Sequence, residues 1–138
     1  MSEIAQPSVR DKRQGGVDSL SSTSTSYQKK ASVTLEKSGH KYLSVEFITR
    51  NTTTSAYMGK MKVMIGDTTV GELKPKSETK YSMKLADDVT HRIQKMFDIS
   101  SFNDGDITFD IYVAMDAESV SGTAEFENIV LMLLKGED

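Results

Sequence analysis

Two strand-like runs in succession, over residues 105–135, constrain this chain more than anything else in it. Ile107, Phe109, Ile111, Val113 and Met115 are apolar at every second position, with Thr108, Asp110 and Tyr112 between them. A strand sends alternate side chains to opposite faces, so this spacing defines one core face and one wet or half-wet face. After a turn-like stretch at 116–122, residues 123–134 read as a second strand. It ends in Ile129-Val130-Leu131-Met132-Leu133-Leu134, the most apolar run of the chain. Such a run fits a strand buried on both faces. The core is therefore expected to form around this pair. The second strand changes phase midway: Ala124 and Phe126 share one parity, Ile129, Leu131 and Leu133 the other. A β-bulge near Glu127 and Asn128 reconciles the two halves.

The upstream pattern is also β-rich. Residues 31–37 form a short strand with Val33 and Leu35 on one face. Residues 41–50 place Leu43, Val45 and Phe47 on one face and Tyr42, Ser44, Glu46 and Ile48 on the other. Residues 57–65 put Tyr57, Met61, Val63 and Ile65 opposite Lys60 and Lys62. Gly66-Asp67 is a two-residue turn signal, and 68–73 returns as the second arm of a hairpin. Pro75 ends that element, because it cannot donate to a ladder. Residues 80–85 alternate Tyr81, Met83 and Leu85. One helix is expected over 87–97, where Val89, Ile93, Met96 and Phe97 make an apolar stripe. Asp87 and Asp88 suit its N-terminal end.

Residues 1–30 read differently. Ser19, Ser21, Ser22, Thr23, Ser24, Thr25 and Ser26 form a low-complexity patch after Gly15-Gly16. A segment with so few large apolar residues cannot offset its ordering entropy alone. It is expected to be a disordered or partner-ordered N-terminal arm, with the β-sandwich domain occupying 31–138. The arm carries Arg10, Lys12, Arg13, Lys29 and Lys30 against Glu3, Asp11 and Asp18.

Size and charge bound the function. A chain of 138 residues suits one domain. Net charge of −3 argues against a generally basic surface coated by nucleic acid, while leaving room for a local basic patch. Without Cys there is no disulfide, thiolate metal site or Cys nucleophile. No apolar stretch approaches a bilayer span, and residues 1–14 lack the apolar core of a signal peptide. The expected location is the cytoplasm, or a particle assembled there, with no membrane contact.

Catalytic chemistry finds little footing. His40 beside a turn glycine reads as a solvated loop residue, and His91 as an exposed helix residue out of phase with the stripe. No nucleophile elbow and no phosphate-binding glycine loop is present. The carboxylates Asp98, Asp104, Asp106, Asp110 and Asp116 do not match an EF-hand and read as turn and solvated strand residues. No enzyme activity, cofactor or metal is expected. Lys60 and Lys62 share the outer face of one strand, with Lys74, Lys76 and Lys80 following. Backed by Lys29 and Lys30, they could meet phosphates or an acidic partner. The plainer alternative is that lysines guard a sheet edge against aggregation.

The run Gly122-Thr123-Ala124-Glu125-Phe126-Glu127-Asn128-Ile129-Val130-Leu131 resembles the closing strand of jelly-roll carbohydrate-binding modules. Residues 42–48 and 105–113 are similar to an early and the penultimate strand of that family. The resemblance implies a jelly roll. As a function it implies glycan binding, with Tyr42, Tyr57, Tyr81 and Tyr112 as the candidate platform, although the family's Trp residues have no counterpart. The overall plan, a mildly basic arm and then a compact sandwich, also resembles small viral coat or decoration proteins.

The expectation is an all-β, antiparallel, jelly-roll-like sandwich of about eight strands with one short helix. Its expected role is a non-enzymatic, self-assembling virus or phage particle component, acting as a homo-oligomer. Arg10, Lys12, Arg13, Lys29 and Lys30 would then contact nucleic acid or an acidic neighbour. A glycan- or ligand-binding module is the first alternative. A small nucleic-acid-binding accessory protein is the second.

Overall fold

The computed structural model describes residues 13–51, 59–74, 90–115 and 124–135. They form eight strands: β1 (Gln14–Ser22), β2 (Gln28–Glu36), β3 (Tyr42–Asn51), β4 (Gly59–Ile65), β5 (Thr68–Leu73), β6 (Thr90–Asp98), β7 (Asp106–Met115) and β8 (Ala124–Leu134). One four-stranded sheet runs β1-β8-β3-β6 and the other β2-β7-β4-β5. All ladders are antiparallel. The pairs β1–β8, β2–β7, β3–β6 and β4–β5 are nested in sequence, with only the innermost joined by a tight hairpin. This is the eight-stranded jelly roll.

Alternation builds the core between the sheets. Leu43, Val45, Phe47, Phe109, Ile111, Val113, Phe126 and Leu131 are fully buried. Each contributes roughly 1.5–3 kcal/mol relative to an exposed position. Phe47 and Phe126 meet at 5.4 Å between centroids, tilted by 54°. The expected hairpin is present, with Ile65 opposite Thr68 and Gly66 at φ +59. A positive φ at the first turn position matches the twist of the flanking strands. The expected bulge is present too. Between Glu46 and Ile48 the β3–β8 register slips by one residue, and Asn128 takes φ 52.

Four expectations are corrected. Residues 87–97 hold no described helix: Thr90–Asp98 is strand β6, paired with β3 from Tyr42↔Asp98 to Arg50↔Thr90. Ile93 and Phe97, which fit a helical stripe at i and i+4, fit strand alternation equally well, and the free edge of β3 supplies the ladder.

The arm boundary at residue 30 is corrected as well. Gln14–Ser22 pairs with β8 from Gln14↔Met132 to Ser22↔Ala124, and Gln28–Lys30 opens β2. Val17 and Leu20 pack against the core. What composition alone leaves disordered is held by the edge of β8. Residues 1–12 lie outside the described residues, as do the strand expected at 80–85 and the turn at 116–122.

Third, the 129–134 run is not buried on both faces. Ile129, Leu131 and Leu133 face the core, while Val130, Met132 and Leu134 are half-buried on the outer face. Fourth, His40 is not solvated. It is buried, with Nδ1 at 3.0 Å from the Lys37 carbonyl oxygen and 3.2 Å from that of Ser38. The turn at Ser38 and Gly39, both at positive φ, folds the ring back under the chain.

Candidate functional site

The outer face of the β2-β7-β4-β5 sheet carries the densest chemistry among the described residues. In β4 the inward parity belongs to Met61 and Val63, so Lys60 and Lys62 point outward. In β7 the inward parity belongs to Ile111 and Val113, so Tyr112 and Asp110 point outward. Lys62 lies directly opposite Tyr112, and Tyr112 opposite Lys29, giving a row across three strands. Lys29 joins that row because the β2–β7 register shifts between Lys29 and Ala31. The bulge leaves Lys30 exposed beside it and keeps Ala31, Val33 and Leu35 on the inner side.

Tyr27, in the turn before β2, completes the cluster. The Lys60 and Lys62 ammonium nitrogens lie 5.0 and 4.9 Å from its ring centroid. Lys62 is also 5.2 Å from the Tyr112 centroid. Ring quadrupoles attract such heads by about 0.5–1 kcal/mol at exposed sites. They hold the ammonium groups in place without neutralising them. Lys29 Nζ sits 3.4 Å from Asp110 Oδ1, which also accepts a 2.7 Å hydrogen bond from Ser32 Oγ. Glu72, across from Lys62, lies 3.9 Å from Lys74.

Of the residues expected to contact nucleic acid or an acidic partner, Lys29, Lys30, Lys60 and Lys62 are thus brought to one end of one face. Arg13 stands apart, its carbonyl accepting the Leu133 amide at the edge of the other sheet. Arg10 and Lys12 lie outside the described residues. The tyrosine platform is not assembled as expected. Tyr42 faces outward from β3 on the opposite sheet, and Tyr57 and Tyr81 lie outside the described residues. Tyr112 is in place, and its partner is Tyr27, which sequence reasoning missed. Only its position just before a strand, three residues from a lysine pair's end, hinted at a role.

The remaining candidates are structural. Lys37 is buried and lies 3.4 Å from Asp104 Oδ1, which also accepts the Gly39 amide at 2.8 Å. That amide, and then the Lys37 contact, holds the Asp104 carboxyl below its usual range. His91 lies in β6 rather than a helix. A cleft of about 310 Å³ at the β5–β6 edge is lined by Glu72, Leu73, Lys74, Ile93, Gln94 and Lys95. Among the described residues no group of three His, Cys, Asp or Glu side chains converges on a metal position. No helix there is long and apolar enough to cross a membrane.

No protein-family model matches the sequence, and no curated protein does. The likenesses are structural. The VP2 subviral particle of infectious bursal disease virus superposes with a TM-score of 0.53 at 10% identity, covering 88% of this chain and 32% of that one. The Gt strain of the same virus gives 0.52 at 11% identity, over 91% and 32%. The C-terminal CBM6 of LamC, a marine laminarinase from Zobellia galactanivorans, gives 0.42 at 13%, over 83% and 99%. The chain thus spans about a third of the viral chains it matches and nearly all of the module. The likeness to the viral chains, at TM-scores above 0.5, shows the jelly-roll fold.

Proposed function

We propose that this chain is a non-enzymatic, self-assembling structural protein, a component of a virus or phage particle. The observation that carries the reading is the outer face of the β1-β8-β3-β6 sheet. Val130, Met132 and Leu134 project there from an interior strand. Met132 is in register with Ser44, and Ser44 with Met96, which is 53% exposed. Leu134 lies opposite Tyr42. An apolar row on the face that should be wet suits burial against a second copy. The likeness to a chain from a viral particle supports the same reading.

Size-exclusion chromatography with light scattering, followed by electron microscopy, tests it. The full chain should form a discrete oligomer or particle, and Met96→Lys with Met132→Glu should release folded monomers. A strict monomer at high concentration, in every salt and with nucleic acid present, overturns the proposal.

The second reading is a glycan-binding module, favoured by the Tyr27–Tyr112 pair on the outer face. A glycan array decides it, and silence across the array removes it.

A further inference from the structure

We propose that the outer face of the β2-β7-β4-β5 sheet, where Lys29, Lys30, Lys60 and Lys62 gather around Tyr27 and Tyr112, binds the phosphate backbone of nucleic acid without reading its sequence. This goes beyond assembly and does not depend on it, because the apolar row lies on the opposite sheet.

The argument begins with charge that is concentrated rather than dispersed. Lys60 and Lys62 both lie within 5.0 Å of one ring centroid, so two like charges share a small patch. Like charges brought together destabilise a fold unless something offsets them. Among the described residues their heads meet aromatic rings and no carboxylate. Of the two acids on this part of the face, Asp110 pairs with Lys29 and Ser32, offsetting part of the charge of Lys29 but not that of Lys60 or Lys62, and Glu72 lies 3.9 Å from Lys74. A negatively charged ligand relieves the repulsion that the fold leaves standing.

Geometry then favours a polyanion. Lys29, Tyr112 and Lys62 form a straight row across adjacent strands, which lie about 4.8 Å apart. The Lys29 and Lys62 ammonium groups flank the Tyr112 ring and offer successive contacts to a chain of phosphates rather than a pocket for one. A lipid surface fits less well. Stable membrane-surface binding draws on inserted apolar area as well as on charge. The exposed large hydrophobic among the described residues, Met96, is on the other sheet. Edge guarding accounts for Lys29 and Lys30, on the edge strand β2, but not for Lys60 and Lys62, because β4 is an interior strand of its sheet. Because the contacts are to phosphate, neither base identity nor strandedness is selected strongly.

The test is fluorescence anisotropy of the full chain with a labelled mixed-sequence oligonucleotide, single-stranded and as duplex, across a salt series. Binding should weaken linearly in log salt. Lys60→Gln with Lys62→Gln should lower affinity about tenfold or more and reduce the slope by about 1.4 on single strands or 1.8 on duplex. Lys41→Gln with Lys135→Gln removes the same charge from exposed positions at the opposite sheet and should leave binding unchanged. Lys29→Gln with Lys30→Gln, both exposed, provides an independent weakening if the first pair perturbs folding. Absence of binding at low salt overturns the proposal. So does equal weakening by the control pair, or binding to phosphatidylserine vesicles without binding to either oligonucleotide. The assembly measurement is read separately, so either proposal can fail alone.

Discussion

Gly59, the first residue of β4, lies against the ring of Phe126 in β8, so close that a methyl group there would come within 2.0 Å of Phe126 Cζ. The two residues belong to opposite sheets, and their contact closes one end of the sandwich. Gly71 and Phe97 repeat the arrangement near the β5–β6 edge, again with a 2.0 Å approach. Gly59→Ala forces the ring or the strand to move, and overpacking of this kind costs about 1–3 kcal/mol. Phe126→Leu makes room at the cost of lost burial. The double variant should therefore be more stable than the sum of the single losses allows, by a coupling of at least about 0.5 kcal/mol. Urea denaturation of the four chains measures this, and strict additivity would refute the close packing.

The same glycine is fixed from the other side. Its amide donates to Thr49 Oγ1 at 2.8 Å, and Thr49 is fully buried. Thr49→Val keeps the shape but leaves a buried N–H without its acceptor. The expected loss is about 1–3 kcal/mol. Thr49→Ser retains the oxygen and should lose less. A loss in Thr49→Ser with none in Thr49→Val would show that the methyl group matters and the hydrogen bond does not.

Acid should weaken the fold through two turn carboxylates. Asp98 accepts from the Ser100 hydroxyl at 2.6 Å and from the Ser100 amide at 2.8 Å, and these bonds, with the charge of Lys41, hold its pKa below 3.8. Asp104 is lowered by the Gly39 amide first and then by Lys37. A carboxyl with a depressed folded pKa adds stability above its unfolded value. That stability is lost as pH falls through the folded value. The urea midpoint should thus hold from neutral pH down to about pH 4 and decline below it. Asp98→Asn and Asp104→Asn should each flatten that decline. An unchanged acid limb in both variants would assign the acid sensitivity to other groups.

How legible the sequence was depended on whether local pattern and tertiary demand agreed. They agreed in β3, β4, β5 and β7, where strict alternation or a Gly-Asp turn left one solution; in β8 the phase change marked the bulge, but the apolar run hid the outer face. They disagreed in β6, where the inward parity of Ile93 and Phe97 is interrupted by Lys95. That side chain escapes at the sheet edge, reaching the Glu72 carbonyl at 3.4 Å and the Phe97 ring at 5.7 Å. An inward lysine is a device of edge strands, and in one dimension it disguises the strand. In β1 the apolar residues Val17 and Leu20 are three apart, because the strand must follow the β8 bulge, with Val17 opposite Ile129 and Leu20 opposite Phe126. Serine-rich composition hid that strand, since its ladder comes from β8 rather than from its own propensity. The lysine cluster was half legible: Lys60 and Lys62 showed as one face, but only the register could bring Lys29, Tyr27 and Tyr112 to them.

The bulge offers the last test. Asn128 sits at φ 52, exposed, where β8 gains one residue relative to β3. The left-handed region costs an ordinary L-residue roughly 1–2 kcal/mol, while Gly carries no such penalty and Asn a reduced one. Asn128→Val should therefore destabilise by about 1–2 kcal/mol although it touches no core atom. Asn128→Gly should be neutral or stabilising. The bulge also sets parity: it lets Phe126 and Ile129 both face inward, so removing the extra residue turns one half of the strand inside out. Deletion of Asn128 should consequently abolish cooperative unfolding, where Asn128→Val only shifts its midpoint. A deletion variant that melts cooperatively near the parent temperature would mean that β8 does not need the bulge to bury both halves.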